Sequence, residues 1–254
     1  MVFIMATNNW IFNEEDMNNT PSQKKGWSSA AEKKKRVDAI DVIRKVGIQL
    51  NISLHGTLYT ASVYLQRFYM FHSFDEYNYM VTALGCLFLA GKVEETPKKI
   101  KDIISAAREI YSNALPYNGV SIESVIEFER ILLRTMKFDL TVEAPYDPLL
   151  EYCKLLKIPK KQQNSVAQTG WGFLNDCAYT HLPLLWEAEI IAIGAIHLSL
   201  QMNNIENVDY EGRTNDEPWW SKVVGNFTLR SLEGICHKFL DHYSEQSDKS
   251  KMDL

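Results

Sequence analysis

The side chains that could act as bases, nucleophiles or metal ligands are scattered along this sequence. The six histidines are His55, His72, His181, His197, His237 and His242, and the four cysteines are Cys86, Cys153, Cys177 and Cys236. A structural metal site needs Cys and His at ligand spacing, and no CxxC pair occurs. Cys236 and His237 are adjacent, and adjacent residues of a helix do not share a face. There is no glycine-rich phosphate loop, no HExxH and no GxSxG. The expectation is therefore a chain that is not an enzyme, with no cofactor and no metal. His197 sits inside an apolar run, as a core or interface histidine would. Four well-separated cysteines in a chain of this size make no disulfide framework, and reduced, buried thiols in an intracellular protein are expected.

Two charges lie where charge is costly. Ile122, Val125, Ile126, Leu133 and Met136 recur at helical spacing, and Glu129 falls in the middle of that stripe. Lys92 continues the row Val81, Gly85, Phe88 at the end of an apolar segment. A charge on a packing face must be paired or hydrogen-bonded. One reading is an internal salt bridge, with Lys92 snorkelling near a helix C-terminus. The other is a pair of charged anchors set in an apolar docking patch for a partner protein. Periodicity alone leaves both open.

The elements that carry these residues are helices. Only 12 glycines and 8 prolines occur in 254 residues, so tight turns are few. That argues against sandwiches, barrels and glycine-rich nucleotide-binding sheets. A hydrophobic fraction of 46% is enough for a sizeable core. The net charge of −5 makes general nucleic-acid binding unfavourable. No apolar run reaches membrane-span length, and Met1–Met5 is too brief for a signal peptide.

The helical period predicts a first helix from about Ala30 to Leu50, then Thr57 to Phe71, Tyr77 to Val93, Ile100 to Tyr111 and a fifth opened by Ser121 with Ser124. The third is apolar almost all round and is expected to be central. The stretch Lys137–Pro148 has no helical period and contains Pro145 and Pro148, which marks a boundary. A second run follows: Pro145–Leu156, Gln162–Tyr179 and Glu187–Met202, a polar loop Asn203–Glu217, then shorter helices at Trp219–Val224 and Thr228–Tyr243. Residues 1–29 read as an extended polar arm in which Trp10 and Phe12 could dock, and Ser244–Leu254 as a frayed tail. A shift of about 109 residues lays Tyr64 on Phe173, Ala83 on Ala192, Gly85 on Gly194 and Leu89 on Leu198. With matching helix order, this suggests two copies of a five-helix unit. The basic run Lys33-Lys34-Lys35-Arg36, with Lys24-Lys25 upstream, reads as a solvated helix face, with nuclear import or nucleic-acid contact as the sharper alternatives. Phe68-Tyr69-Met70-Phe71 reads as core rather than as a base-stacking platform.

Longer words carry a resemblance. Cys86-Leu87-Phe88-Leu89-Ala90-Gly91-Lys92-Val93-Glu94-Glu95-Thr96-Pro97-Lys98-Lys99 resembles the third helix of a cyclin box. Glu129-Arg130-Ile131-Leu132-Leu133 followed by Lys137-Phe138-Asp139-Leu140 resembles its fifth. Arg67 to Phe74, Thr20-Pro21-Ser22-Gln23, Trp186-Glu187, Trp219-Trp220 and Cys236-His237 are similar to the transcriptional branch, its cyclin K group foremost. The resemblance covers roughly residues 10–244.

It implies an all-α fold of two tandem five-helix cyclin-box domains with an N-terminal arm: arm 1–29, first box 30–141, second box 145–244 and polar tail 245–254. It implies a non-catalytic regulatory subunit in a heterodimer with a cyclin-dependent kinase. That kinase would phosphorylate the C-terminal repeats of RNA polymerase II in the nucleus, promoting elongation and RNA processing. Lys92 and Glu129 match the family's Lys–Glu pair, which hydrogen-bonds backbone around the kinase C-helix. Leu89, Val93, Leu133 and Phe138 match apolar positions around it. No direct nucleic-acid or membrane contact is implied. The alternatives are a cyclin T-like subunit of the elongation-factor kinase and, in a different class, a transcription factor IIB-like DNA and polymerase binder. The net charge and the lack of a zinc ribbon weigh against the last.

Overall fold

The computed structural model describes residues 10–111, 119–205, 208–210, 218–221, 223–225 and 227–252, with side chains to Ser244. Met1–Met5 and, of the expected Asn203–Glu217 loop, residues 206–207 and 211–217 lie outside them. The described residues form helices and turns, with one isolated antiparallel bridge between Leu156 and Tyr210 and no strand. The chain divides into two units, Met1–Val142 and Glu143–Leu254.

In the first unit, α1 (Glu14–Met17) and α2 (Pro21–Lys24) precede α3 (Ser29–Gln49), α4 (Tyr59–Phe68), α5 (Tyr79–Val93), α6 (Ile100–Tyr111) and α7 (Ile122–Thr135). Polar side chains start the long helices by accepting from otherwise unpaired N–H groups. Ser28 accepts from Ala31, Asn78 from Met80, and Ser121 and Ser124 form a reciprocal capping box. Helix α5 is central because residues from Met80 to Gly91 bury nearly its whole circumference, with α3, α4 and α7 packed around it. Gly85 makes the α7 approach possible: a Cβ there would collide with the Phe128 ring.

Three expectations change here. The second helical stretch lies three residues earlier than predicted, opening with a π-helical turn (Leu54–Leu58) that leads into α4 and ending at Phe68. The aromatic run beyond it turns back, since Met70 and Phe71 amides donate to the Arg67 and Phe68 carbonyls and Tyr69 stacks on Phe74 at 3.6 Å. The described part of the arm, from Trp10 on, is not extended. Asn13 and Thr20 cap one-turn helices, and Trp10, Met17, Thr20 and Ser22 are buried. The basic run is also split: Lys34 is exposed, but Arg36 is 2% exposed.

The second unit contains α8 (Tyr146–Leu155), α9 (Lys160–Cys177), α10 (Leu182–Leu185), α11 (Ala188–Met202) and α12 (Leu229–Met252). Helix α11 is its centre, with α8, α9 and α12 against it. A Cβ on Gly194 would lie 2.6 Å from Ile235 Cγ2 of α12. Where a helix is expected at Trp219–Val224, the described residues, Trp219 to Ser221 with Val223 and Val224, form turns. The Ser221 amide donates to Pro218 and the Val224 amide to Trp220, while both tryptophans are buried and Trp220 Nε1 donates to the Phe227 carbonyl. The expected frayed tail continues α12 as helix to Met252. The one-turn α10 was not anticipated.

Candidate functional site

Lys92 stands in the last turn of α5 and Glu129 in the middle of α7, and the packing of those helices brings the two together. Lys92 Nζ donates to Glu129 Oε1 at 2.7 Å and to Oε2 at 2.9 Å. Lys92 also lies 4.0 Å from the Phe88 ring centroid, where the ring's negative face attracts a cation. The two partners are unequally exposed, 46% for the Lys92 side chain and 12% for that of Glu129. Glu129 is thus the more enclosed partner and Lys92 the more solvated one.

The apolar residues grouped with this pair fall into two kinds. Leu89 is buried, one turn back from Lys92 and Val93, and packs beneath the surface. Leu133 is half-buried, one turn after Glu129 on the same face of α7. Val93 is exposed, and Phe138 is 70% exposed, a large apolar side chain held in water. Phe138 follows the end of α7 in an unusual backbone. Lys137 and Phe138 have φ of 51° and 59°, two successive non-glycine residues in the left-handed region. Each such residue costs about 1–3 kcal/mol and persists only where its surroundings hold it. Here the Phe138 amide donates to the Leu133 carbonyl at 3.0 Å and the Asp139 amide to that of Met136 at 2.9 Å.

The other candidates are not brought together. Among the described residues no group of three His, Cys, Asp or Glu side chains is placed to hold a metal ion. All four cysteines are buried. Burial pushes the Cys86 thiol well above its ordinary value and those of Cys153 and Cys236 up to about 12, so they stay protonated. His197 is edge-on to Trp220, and burial lowers its pKa. His72 stacks on Phe68 at 4.4 Å with Nε2 2.9 Å from Thr135 Oγ1. No helix is long and apolar enough to cross a membrane among the described residues.

The sequence reading missed two clusters in the first unit. Arg36 Nε and Nη2 donate to Glu32 Oε1 at 3.0 and 2.7 Å, and Nη1 donates to the Gln66 carbonyl and Oε1 at 3.0 and 2.8 Å. Thr20 of the arm donates to Glu32 Oε2 at 2.6 Å, and Glu32 is itself buried. Burial lowers the Arg36 pKa, opposed by Glu32. A signal existed: Arg36 precedes Ile40, Ile43 and Gly47 on one helical row. In the second cluster Trp10 Nε1 donates to Asp139 Oδ2 at 2.9 Å while the Arg67 guanidinium lies 4.9 Å from the Trp10 ring centroid. Burial lowers the Arg67 pKa to about 10, with Asp139 acting the other way. Nothing local in the sequence pairs residues so distant.

With this geometry in hand, comparison with known proteins is specific. A family model described as cyclin, N-terminal domain, matches residues 8–141. The chain is 42% identical to cyclin-K of Homo sapiens over 238 residues, covering 93% of this chain and 41% of that protein. It is 30% identical to cyclin-T2 of Homo sapiens, over 97% of this chain and 34% of that protein. It thus spans only about two fifths or less of those human relatives. A structure of the yeast RNA Pol II CTD kinase CTDK-1 complex contains a chain that superposes with a TM-score of 0.74 at 17% identity, covering 94% of this chain and 74% of that one. The viral cyclin from herpesvirus saimiri gives 0.60 at 14% identity, over 84% of this chain and 86% of that one. These two share the fold. The family match spans more than half of the residues and contains both members of the Lys92–Glu129 pair: the chain belongs to the cyclin family.

Proposed function

We propose that this chain is the regulatory subunit of a nuclear cyclin-dependent kinase acting on the C-terminal repeats of RNA polymerase II, and that the end of α5 and α7 is its kinase-docking face. The observation that carries the reading is the Lys92–Glu129 pair, bound at 2.7 Å at the edge of the first unit and flanked by the exposed Val93 and Phe138. A charged pair that only satisfied the core would leave no reason for a phenylalanine 70% in solvent beside the end of α7. The similarity to cyclin-K supports the choice of kinase class over the more distant cyclin-T2.

The chemistry stays with the partner. ATP, magnesium and the phosphoryl transfer belong to the kinase, whose activity requires a C-helix glutamate paired with a strand lysine. A protein that binds only the helix-in state shifts the kinase population toward it. In this reading Leu89 and Leu133 support the docking surface, and Val93 and Phe138 supply association energy. Lys92 and Glu129 fix orientation through backbone hydrogen bonds. Their mutual contact holds both rotamers in place before binding, so less side-chain freedom is lost on association. Residues 30–141 form the docking box and residues 145–244 the second box of the pair, with promotion of elongation and RNA processing as the outcome.

The test is recovery of the full chain from its own cells with identification of the co-purified kinase by mass spectrometry. A cyclin-dependent kinase recovered with the wild type and lost with Lys92→Ala/Glu129→Ala is expected. Equal recovery with a folded double variant would overturn the docking face.

A further inference from the structure

The loop that presents Phe138 is gripped by residues far from it in the chain. Tyr64 donates its hydroxyl to the Leu140 carbonyl at 2.6 Å, and Arg67 Nη1 donates to the Thr141 carbonyl at 3.1 Å. Both come from α4. The third grip comes from the arm: Trp10 Nε1 donates to Asp139 Oδ2 at 2.9 Å, across 129 residues of sequence. Trp10 is buried, edge-on to Phe71 at 6.1 Å, with the Arg67 guanidinium against its ring. Asp139, Leu140 and Thr141 are therefore each tied to the body of the unit, and Phe138 is the residue immediately before them.

Phe138 needs such restraint. Its left-handed backbone, and that of Lys137, is costly and persists only where neighbouring contacts hold it. Its side chain is too exposed for packing to fix its direction. The conformation must therefore be imposed through the backbone on either side. On the N-terminal side α7 does this. On the C-terminal side the first residue held is Asp139, whose carboxylate accepts the Trp10 Nε1–H and is also attracted by the Arg67 guanidinium.

We propose that Trp10 is a positioning residue for the docking face, and that the arm sets the direction in which Phe138 meets the kinase. This rests on the reading of Phe138 as kinase-facing. Trp10→Phe keeps an aromatic ring against Arg67 and Phe71 while deleting the N–H donor together with part of the ring volume, and Asp139→Asn tests the same bond with the arm's packing intact. The full chain is tested as wild type, Trp10→Phe, Phe138→Ala and the double variant. Asp139→Ala, which removes the same bond from the other side, serves if Trp10→Phe does not fold. Amide exchange is followed in the free chain, and affinity is measured for the co-purified kinase subunit. In Trp10→Phe, exchange at the Phe138 and Asp139 amides should quicken by about tenfold, and kinase affinity should fall by about fivefold, the scale of one hydrogen bond. In the Phe138→Ala background the same change should cost no further affinity. Unchanged exchange at those two amides, or the same loss of affinity in both backgrounds, overturns the proposal. Wild-type affinity in Phe138→Ala overturns the docking reading instead, and with it the kinase half of the proposal. Exchange that still quickens in Trp10→Phe distinguishes that outcome.

Discussion

The two helical units centre on equivalent helices but differ at their edges. In α5 and in α11 a glycine admits an apolar side chain from the last helix of the unit: Phe128 onto Gly85, Ile235 onto Gly194. Aligning those contacts places Gln201 where the first unit has Lys92, and Cys236 where it has Glu129. Gln201 is exposed, and Cys236 donates only a weak bond to the Gly194 carbonyl at 3.9 Å. The same packing therefore closes without a charged pair, so Lys92 and Glu129 are not demanded by the helix geometry. The units differ in their interiors too. The first buries Glu32, Arg36 and Arg67, whereas the buried polar groups of the second are Thr180, Ser199 and His242 among the described residues. Charge inside the first unit goes with the arm, which contributes Thr20 to Glu32 and Trp10 to Arg67.

The largest effect expected is on this interior difference. Arg36→Ala leaves the Glu32 carboxylate buried without its cation, which costs about 3–5 kcal/mol. Denaturant unfolding should show the loss, while Lys34→Ala, on an exposed residue of the same run, should stay within about 0.5 kcal/mol. Equal small effects would mean that the interior charge is not what distinguishes the first unit.

The shared glycines come next. Gly85→Ala and Gly194→Ala each overfill a tight crossing, at about 1–3 kcal/mol. The aromatic ring of Phe128 has less room to yield than the methyl of Ile235, so Gly85→Ala should be the worse of the two in calorimetry. If Gly194→Ala proves neutral, the two crossings are not equivalent and the alignment of Lys92 with Gln201 fails with them.

Lys92→Ala should separate stability from binding. Its side chain is nearly half exposed, so the pair contributes about 0–1 kcal/mol to folding. Kinase affinity should drop by about tenfold or more, as for the truncation of an oriented interfacial charge. Gln201→Ala, at the matching place in the second unit, should change neither quantity. A loss of affinity for both variants would place the docking function on a different surface.

Much of this comparison was legible from the residues. Helical period and scarce turn formers gave the fold class, and the third and fifth helices followed from apolar spacing and the Ser121–Ser124 cap. Lys92 and Glu129 stood out because charge on an apolar stripe is costly. What stayed hidden was set by contacts between distant segments. Arg36 sat in a basic run that looks solvated, and its burial depends on Glu32, Gln66 and Thr20 meeting in space. Trp219-Trp220 looked helical because two large apolar residues at a segment start mimic an amphipathic pattern, whereas the chain turns to bury both rings. The arm looked irregular because one-turn helices carry too few residues for periodicity to register.

The smallest expected effect is a pH dependence on which the two units agree. Burial lowers the pKa of His72 in the first unit, with Glu76 opposing, and of His197 in the second, with Glu233 opposing. Each folded pKa lies below the ordinary imidazole value of 6.5, so the unfolded chain takes up the proton first. The stabilisation is fully present above pH 6.5 and is lost as pH falls through the depressed folded values. Thr135 Oγ1 already donates to the Ile131 carbonyl at 3.0 Å, so it accepts from His72 Nε2 and the proton gained at low pH goes to Nδ1. His72→Asn and His197→Asn should each flatten part of the decline in melting temperature between pH 7 and pH 5. A decline left unchanged by both would assign it to carboxylates, and the exposed Lys25–Glu76 pair is the first to examine because Lys25 holds the Glu76 carboxyl below its ordinary value.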